Sequence, residues 1–223
     1  MRVSREKAAE NRERIVDTAS RLFREKGFDG VGLDAIMKAA GLTHGGFYGH
    51  FASKGDLAAE AVTRAMERSA EKQSHFADLG DLVADYLSEQ HRADRANGCA
   101  LAALGADMAR KGEGIRHGPT AYVRMQLARF ARLLRGGTTE SRRKRAIVTL
   151  AGLVGAVTLA RAVDDPVLSK EILAAAQDAY GKLAAPGRSL AVTTASDKNQ
   201  TEVFDGNGES PRKTAKPKGT IPK

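Results

Sequence analysis

The residues best equipped for chemistry crowd into positions 43–54: Thr43, His44, Tyr48, His50 and Lys54, interleaved with Gly45, Gly46 and Phe47. A hydroxyl, two imidazoles, a phenol and an ammonium are all donors to anionic oxygen. Thr43 can cap a short helix over 44–50, and the free N–H groups and positive dipole end of such a helix suit a phosphate. Its first turn, His44, Gly45 and Gly46, is the part of a short exposed helix that enters a major groove. Phe47 can pack inward or touch a thymine methyl. Tyr48 and His50 offer donors to phosphates, and Lys54 offers a point charge. Two glycines lower helix propensity by about 1 kcal/mol each and leave few side chains for base readout. Specificity therefore leans on His44, on Phe47, on the basic N-terminal residues or on DNA shape.

Other chemistries find little support. There is no Gly-x-Ser-x-Gly, no Gly-x-x-x-x-Gly-Lys-Ser/Thr and no His-Glu-x-x-His, so no enzyme signature is present. No metal site is expected, since a single cysteine cannot build a Cys-based zinc site and His44 and His50 lack neighbouring ligands. No cofactor is called for. The cysteine, Cys99, precedes an apolar run at a predicted helix start. A thiol there is made more nucleophilic by the helix N-terminus, which permits oxidant or electrophile sensing; the simpler role is a small packed thiol.

The elements that must position these residues read as helices. Ile15, Val16, Ala19, Leu22 and Phe23 lie on one face of a helix over 11–26, and Gly27 ends it. Residues 1–8 read as a charged arm. Leu33, Ile36, Ala39 and Ala40 mark a short second helix stopped by Gly41. Ser53 suits the N-cap of a long fourth helix running past Met66. Two short helices around a glycine turn, flanked by longer ones, form a helix-turn-helix pattern over about 32–51. Further helices are expected over 79–91, 99–110 and 120–135, and from the basic run 142–145 to 163. Asp165 and Pro166 begin a last helix over 167–183. No alternating run suggests a strand.

Composition bounds the rest. The chain has 223 residues, 42% hydrophobic and 28% charged, an ordinary globular balance. The net charge of +9 favours a polyanionic partner. That charge and a basic tail also suit an architectural, sequence-independent nucleic-acid binder. Against that reading, residues 1–60 hold ten Lys/Arg and nine Asp/Glu, a net of only +1. The charge-free apolar stretch 146–160 is 15 residues long, short of the roughly 20 needed to cross a bilayer. It is read as a buried helix, and no membrane association is expected. The first 14 residues carry no apolar segment of a secretory signal, so a cytoplasmic location is expected. Residues 187–223 shift to Ser, Thr, Asn, Lys, Gly and Pro and read as a disordered basic tail.

Taken together, Arg14-Ile15-Val16-Asp17-Thr18-Ala19 with Leu22-Phe23, Gly27-Phe28, Ile36, and Ala40-Gly41-Leu42-Thr43 form one pattern. Phe47-Tyr48-x-His50-Phe51 and Ser53-Lys54-x-x-Leu57 complete it. Over about 9–69 the chain resembles the TetR family of bacterial transcriptional regulators. The resemblance implies an all-α fold, with an N-terminal three-helix DNA-binding domain over 9–69 and a helical effector-binding and dimerisation domain over 75–186. It implies DNA contacts by Thr43, His44, Gly45, Gly46, Phe47, Tyr48, His50 and Lys54. One departure is the His44-Gly45-Gly46 run, where members often carry Lys or Arg followed by a small residue. The implied protein is a homodimeric repressor, paired through helices at about 142–163 and 166–184, bound to a palindromic operator and released by a small-molecule effector. An activator of the same fold is the alternative. Tyr86, His91, Met108, His117, Tyr122, Met125, Gln126 and Phe130 fall on the helices that would surround an effector. Of these Tyr86, Tyr122 and Gln126, with Cys99, are the candidate contacts.

Overall fold

The computed structural model describes residues 4–184. Among them every regular element is helical: α1 (Arg5–Lys26), α2 (Leu33–Ala39), a 3-10 helix (His44–Gly49), α3 (Lys54–Ser74), α4 (Leu79–Tyr86), α5 (Glu89–Ala93), α6 (Ala100–Arg110), a second 3-10 turn (Glu113–Arg116), α7 (His117–Leu133), α8 (Thr139–Ala162) and α9 (Pro166–Ala184). The expected basic tail over 187–223 lies outside the described residues.

Several boundaries move for identifiable reasons. Residues 5–8 are not an arm. Ser4 caps α1 by accepting the Lys7 amide at 3.2 Å, so the helix starts at Arg5. The single helix expected over 79–91 is two. Ser88 accepts the His91 amide at 3.1 Å and starts α5 afresh. The basic run 142–145 does not open α8 either. Thr138 caps that helix through the Ser141 amide, three residues earlier than expected. At α9 the expectation holds: the Asp165 carboxylate accepts the amides of Val167 at 2.8 Å and Leu168 at 3.2 Å.

Two apolar clusters hold the fold. The first joins Ile15, Val16, Phe23, Ile36, Phe47, Phe51, Leu57 and Val62 from the N-terminal helices to Leu104, Met108, Ile115 and Tyr122 beyond them. The second gathers Leu82, Val83, Cys99, Phe130, Leu153, Val157 and Leu173. The small residues of α8, a helix expected to pair with a second subunit, are mostly consumed inside the chain. Ala156 and Ala160 belong to the second cluster. A Cβ on Gly152 would fall 1.8 Å from the Tyr180 hydroxyl, so glycine is what lets α9 lie against α8. The apolar groups that α8 and α9 do expose are Ile147, Val148, Leu159, Val167 and Leu168. Although long and apolar enough to cross a membrane by composition, α8 packs against α7 and α9.

Candidate nucleic-acid interface

The reading element is a 3-10 helix rather than an α-helix. Gly46 N–H donates to Thr43 at 3.1 Å and His50 N–H to Phe47 at 2.9 Å, the tighter i to i+3 pattern. Three glycines in six residues, Gly45, Gly46 and Gly49, remove the propensity that would hold a wider turn. Gly41 sets its approach. At φ +70° this residue adopts the left-handed conformation that turns the chain out of α2.

Packing divides the aromatic pair. The Phe47 ring is fully buried and stacks on Phe51 with centroids 5.7 Å apart. Of the two roles open to Phe47, the structure gives it the inward one, and its ring is not available to a thymine methyl. Tyr48, edge-on to Phe47, projects outward with 67% of its surface exposed. Thr43, His44, Gly45 and Gly46 are exposed beside it, and His50 is half-buried. His44 Nδ1 lies 3.9 Å from an Asp34 carboxylate oxygen. Thr43 occupies the N-cap position, but its side chain makes no capping bond and its hydroxyl is unspent there. Lys54 starts α3, where Ser53 accepts the Asp56 amide at 3.1 Å and donates back to the Asp56 carboxylate at 2.9 Å. The positive end of a 21-residue helix thus lies beside the reading element.

This arrangement is locked from behind. The Arg12 guanidinium lies 4.6 Å from the Phe51 ring centroid and forks onto Glu60. Arg64 pairs with Glu13 at 2.7 Å and Asp17 at 3.0 Å, tying α3 to α1 a second time.

The candidate effector residues form two neighbouring sets, with Gln73 lining the same pocket as Tyr86, His91 and Cys99. Tyr122 and Gln126 lie one turn apart on α7 and join at 3.2 Å; Gln126 also donates to Gln73 of α3. The Gln126 carbonyl oxygen and one Arg129 nitrogen are buried there without partners. Burial, with the Cys99 charge second, pushes the Tyr122 phenol above its ordinary range. Tyr86 and Cys99 belong to another group with His91. Cys99 is buried at the N-cap of α6, and its amide donates to His91. The Tyr86 hydroxyl is buried without a hydrogen-bond partner, and burial drives its pKa well up. A buried and a half-buried cation border this group. Arg24 donates to the Gly98 carbonyl at 3.2 Å, and burial lowers its pKa to about 10. Arg161 donates to the His91 carbonyl at 2.8 Å. Sequence reasoning missed Gln73 and Arg129. The spacing of Arg129, one turn beyond Gln126, was the available signal.

Three helices around an exposed, glycine-bounded 3-10 element define a helix-turn-helix module on an all-helical body. A family profile described as bacterial regulatory proteins, tetR family, matches residues 15–61. Residues 15–61 thus match the DNA-binding domain of TetR-family regulators. Residues within the chain are 44% identical, over 59 positions, to the HTH-type transcriptional regulator AcrR of Shigella flexneri, covering 26% of this chain and 27% of that one. Similarity to the regulator LmrA of Bacillus subtilis is longer and weaker, 28% over 155 residues, covering 65% and 82%. The match to AcrR thus spans about a quarter of that relative's length. Among solved structures, reduced NemR of E. coli superposes with TM-score 0.66 at 22% identity, over 81% of this chain and 100% of that one. A TetR-family regulator from Cytophaga hutchinsonii superposes with TM-score 0.67 at 19% identity, over 84% and 100%. These two share the fold.

Proposed function

We propose that the protein is a homodimeric transcriptional repressor in the bacterial cytoplasm that binds a palindromic operator and is released by a small-molecule effector. The observation that carries this reading is the pairing of buried Phe47 with exposed Tyr48. An exposed aromatic next to Thr43, His44 and His50 contributes little to stability, whereas its hydroxyl suits a phosphate. Lys54 and the start of α3 add charge beside it. In this reading residues 9–69 form the reader and 75–186 the regulatory body. The protein acts as a regulator, with no reaction assigned to it.

Twofold pairing would use the outward apolar groups Ile147, Val148 and Leu159 of α8 with Val167 and Leu168 of α9. It would set two reading helices about 34–36 Å apart for successive major grooves. The effector would bind where buried polar groups lack partners, at Tyr122 and Gln126 and near Tyr86. Such a ligand releases DNA only by favouring the state that binds DNA less well. Cys99, being buried, serves packing; any electrophile or oxidant would require prior opening of α5 and α6.

The test is selection from a randomised duplex library. A twofold-symmetric sequence should be enriched, and its affinity should drop at least tenfold in Tyr48→Ala while the melting temperature stays unchanged. Binding equal on all sequences and indifferent to Tyr48 would mark an architectural binder instead and end the operator reading.

A further inference from the structure

The chain's excess positive charge is not in its reader. Residues 1–60 net +1, whereas residues 116–145 hold nine Lys/Arg and one acid, Glu140, a net of +8 against +9 for the whole chain. The fold concentrates part of that charge in one place. Arg132 from the end of α7, Arg135 from the loop after it, and Arg142 and Arg143 from the first turns of α8 line a cleft of about 680 Å³, over Ala128 and Ala131. Among the described residues no carboxylate lines it.

The four arginines are not equivalent. Arg142 donates to the Gly137 carbonyl at 3.0 Å, and the adjacent Arg145 donates to the carbonyls of Arg135 and Gly136 at 2.7 and 2.9 Å. Those two satisfy the corner that ends α7. Arg132, Arg135 and Arg143 are exposed and have no ion-pair partner among the described residues. Glu140 is already taken by Lys144 at 2.7 Å. Three guanidiniums around one cleft repel each other until an anion enters, and the positive end of α8 adds to that field.

We propose that this cleft binds a compact molecule carrying adjacent phosphates, of the nucleoside di- or triphosphate class. Guanidinium forks match phosphate oxygens in pairs. Three free guanidiniums exceed what a monoanion balances and match two or three linked phosphates. The volume lies in the range of small-molecule sites, roughly 300–1,000 Å³. The exposed Ala128 and half-buried Ala131 on its floor suit the uncharged body of such a molecule. A cleft of this volume admits a compact ligand and is too small to seat a duplex. This site is independent of the DNA-reading proposal and of the polar groups around Gln126.

Titration calorimetry on the full-length protein at low salt, with tripolyphosphate and with ATP, tests it. The expected result is one site per chain, weakened at least tenfold by Arg132→Gln/Arg135→Gln/Arg143→Gln and unchanged by the control Arg116→Gln/Arg124→Gln. Melting curves check that both variants fold, and ATP should raise the midpoint of the wild type but not of the triple variant. ATP binding tighter than tripolyphosphate assigns the floor to the nucleoside; equal affinity assigns recognition to the phosphate chain. Absence of binding by both probes overturns the proposal, as does a loss no greater in the triple variant than in the control. Displacement of ATP by duplex DNA that itself depends on the three arginines also overturns it, in favour of a nucleic-acid surface.

Discussion

The ring of His91 bridges two backbone groups: Nδ1 lies 2.5 Å from the Tyr86 carbonyl, and Nε2 accepts the Cys99 amide at 3.0 Å. Both bonds are made at once only by the neutral ring with its proton on Nδ1. The bridge joins the end of α4 to the start of α6 through one side chain.

A pH dependence follows. Burial first, and Arg161 nearby, hold the His91 imidazole below its ordinary range, although the Tyr86 carbonyl opposes them. The unfolded chain takes up this proton near pH 6.5, while the folded chain resists it. The unfolded state therefore binds more protons as pH falls through 6.5. The stability His91 confers is complete above that pH and is lost progressively below it. Urea midpoints measured from pH 8 to 5 should fall in the wild type. His91→Gln should start about 1–3 kcal/mol lower, having lost the bridge, and show a flatter profile across that window.

Phe47 and Tyr48 should part company under mutation. Phe47→Ala empties a fully buried site and should cost about 3–5 kcal/mol. Tyr48→Ala removes an exposed ring and should change stability by no more than about 0.5 kcal/mol. Thermal melts of the two variants provide the comparison.

Arg12 makes a partly exposed contact with both Glu60 and the Phe51 ring. Arg12→Ala should destabilise the protein by about 1–2 kcal/mol, more than a surface ion pair alone, because the cation also covers an aromatic face. Arg12→Lys should recover less than half, since an ammonium cannot fork onto the carboxylate. Chemical denaturation resolves these differences.

Gly152→Ala should destabilise by about 1–3 kcal/mol through collision with Tyr180. In a double-mutant cycle, Tyr180→Ala should cancel most of that effect. Additive losses would place the strain elsewhere.

Val148 is 53% exposed on the outer face of α8. If the protein pairs as proposed, Val148→Glu should leave the monomer fold intact and shift sedimentation from dimer to monomer. An unchanged sedimentation coefficient would remove α8 from the interface.

The N-terminal third was the most legible part of the sequence. Its elements carry local signals: Ser53 as cap, Gly27 and Gly41 as stops, and the apolar face of Ile15, Val16, Ala19, Leu22 and Phe23. The 3-10 form of the reading helix was half visible in its glycines. The downstream body was legible as helices but not as a site. What brings Gln73 beside Gln126, or Arg24 beside Gly98, is tertiary packing across 53 and 74 residues. No local periodicity encodes such distances. The packing of Gly152 on Tyr180 was hidden for the same reason, because a small residue signals close approach without naming what approaches.

The apolar cluster that carries Phe47 and Phe51 does not stop at α3. It continues through Leu104, Met108, Ile115 and Tyr122. The reader is therefore not a detachable cassette. A chimera cut after residue 74 would strip those partners from Phe23, Val62 and their neighbours and leave an adhesive surface on both fragments. Grafting a foreign sensor onto this DNA specificity would require transplanting α6 and the start of α7 with it. The fold should also melt as one cooperative unit, with no separate transition for the first 74 residues.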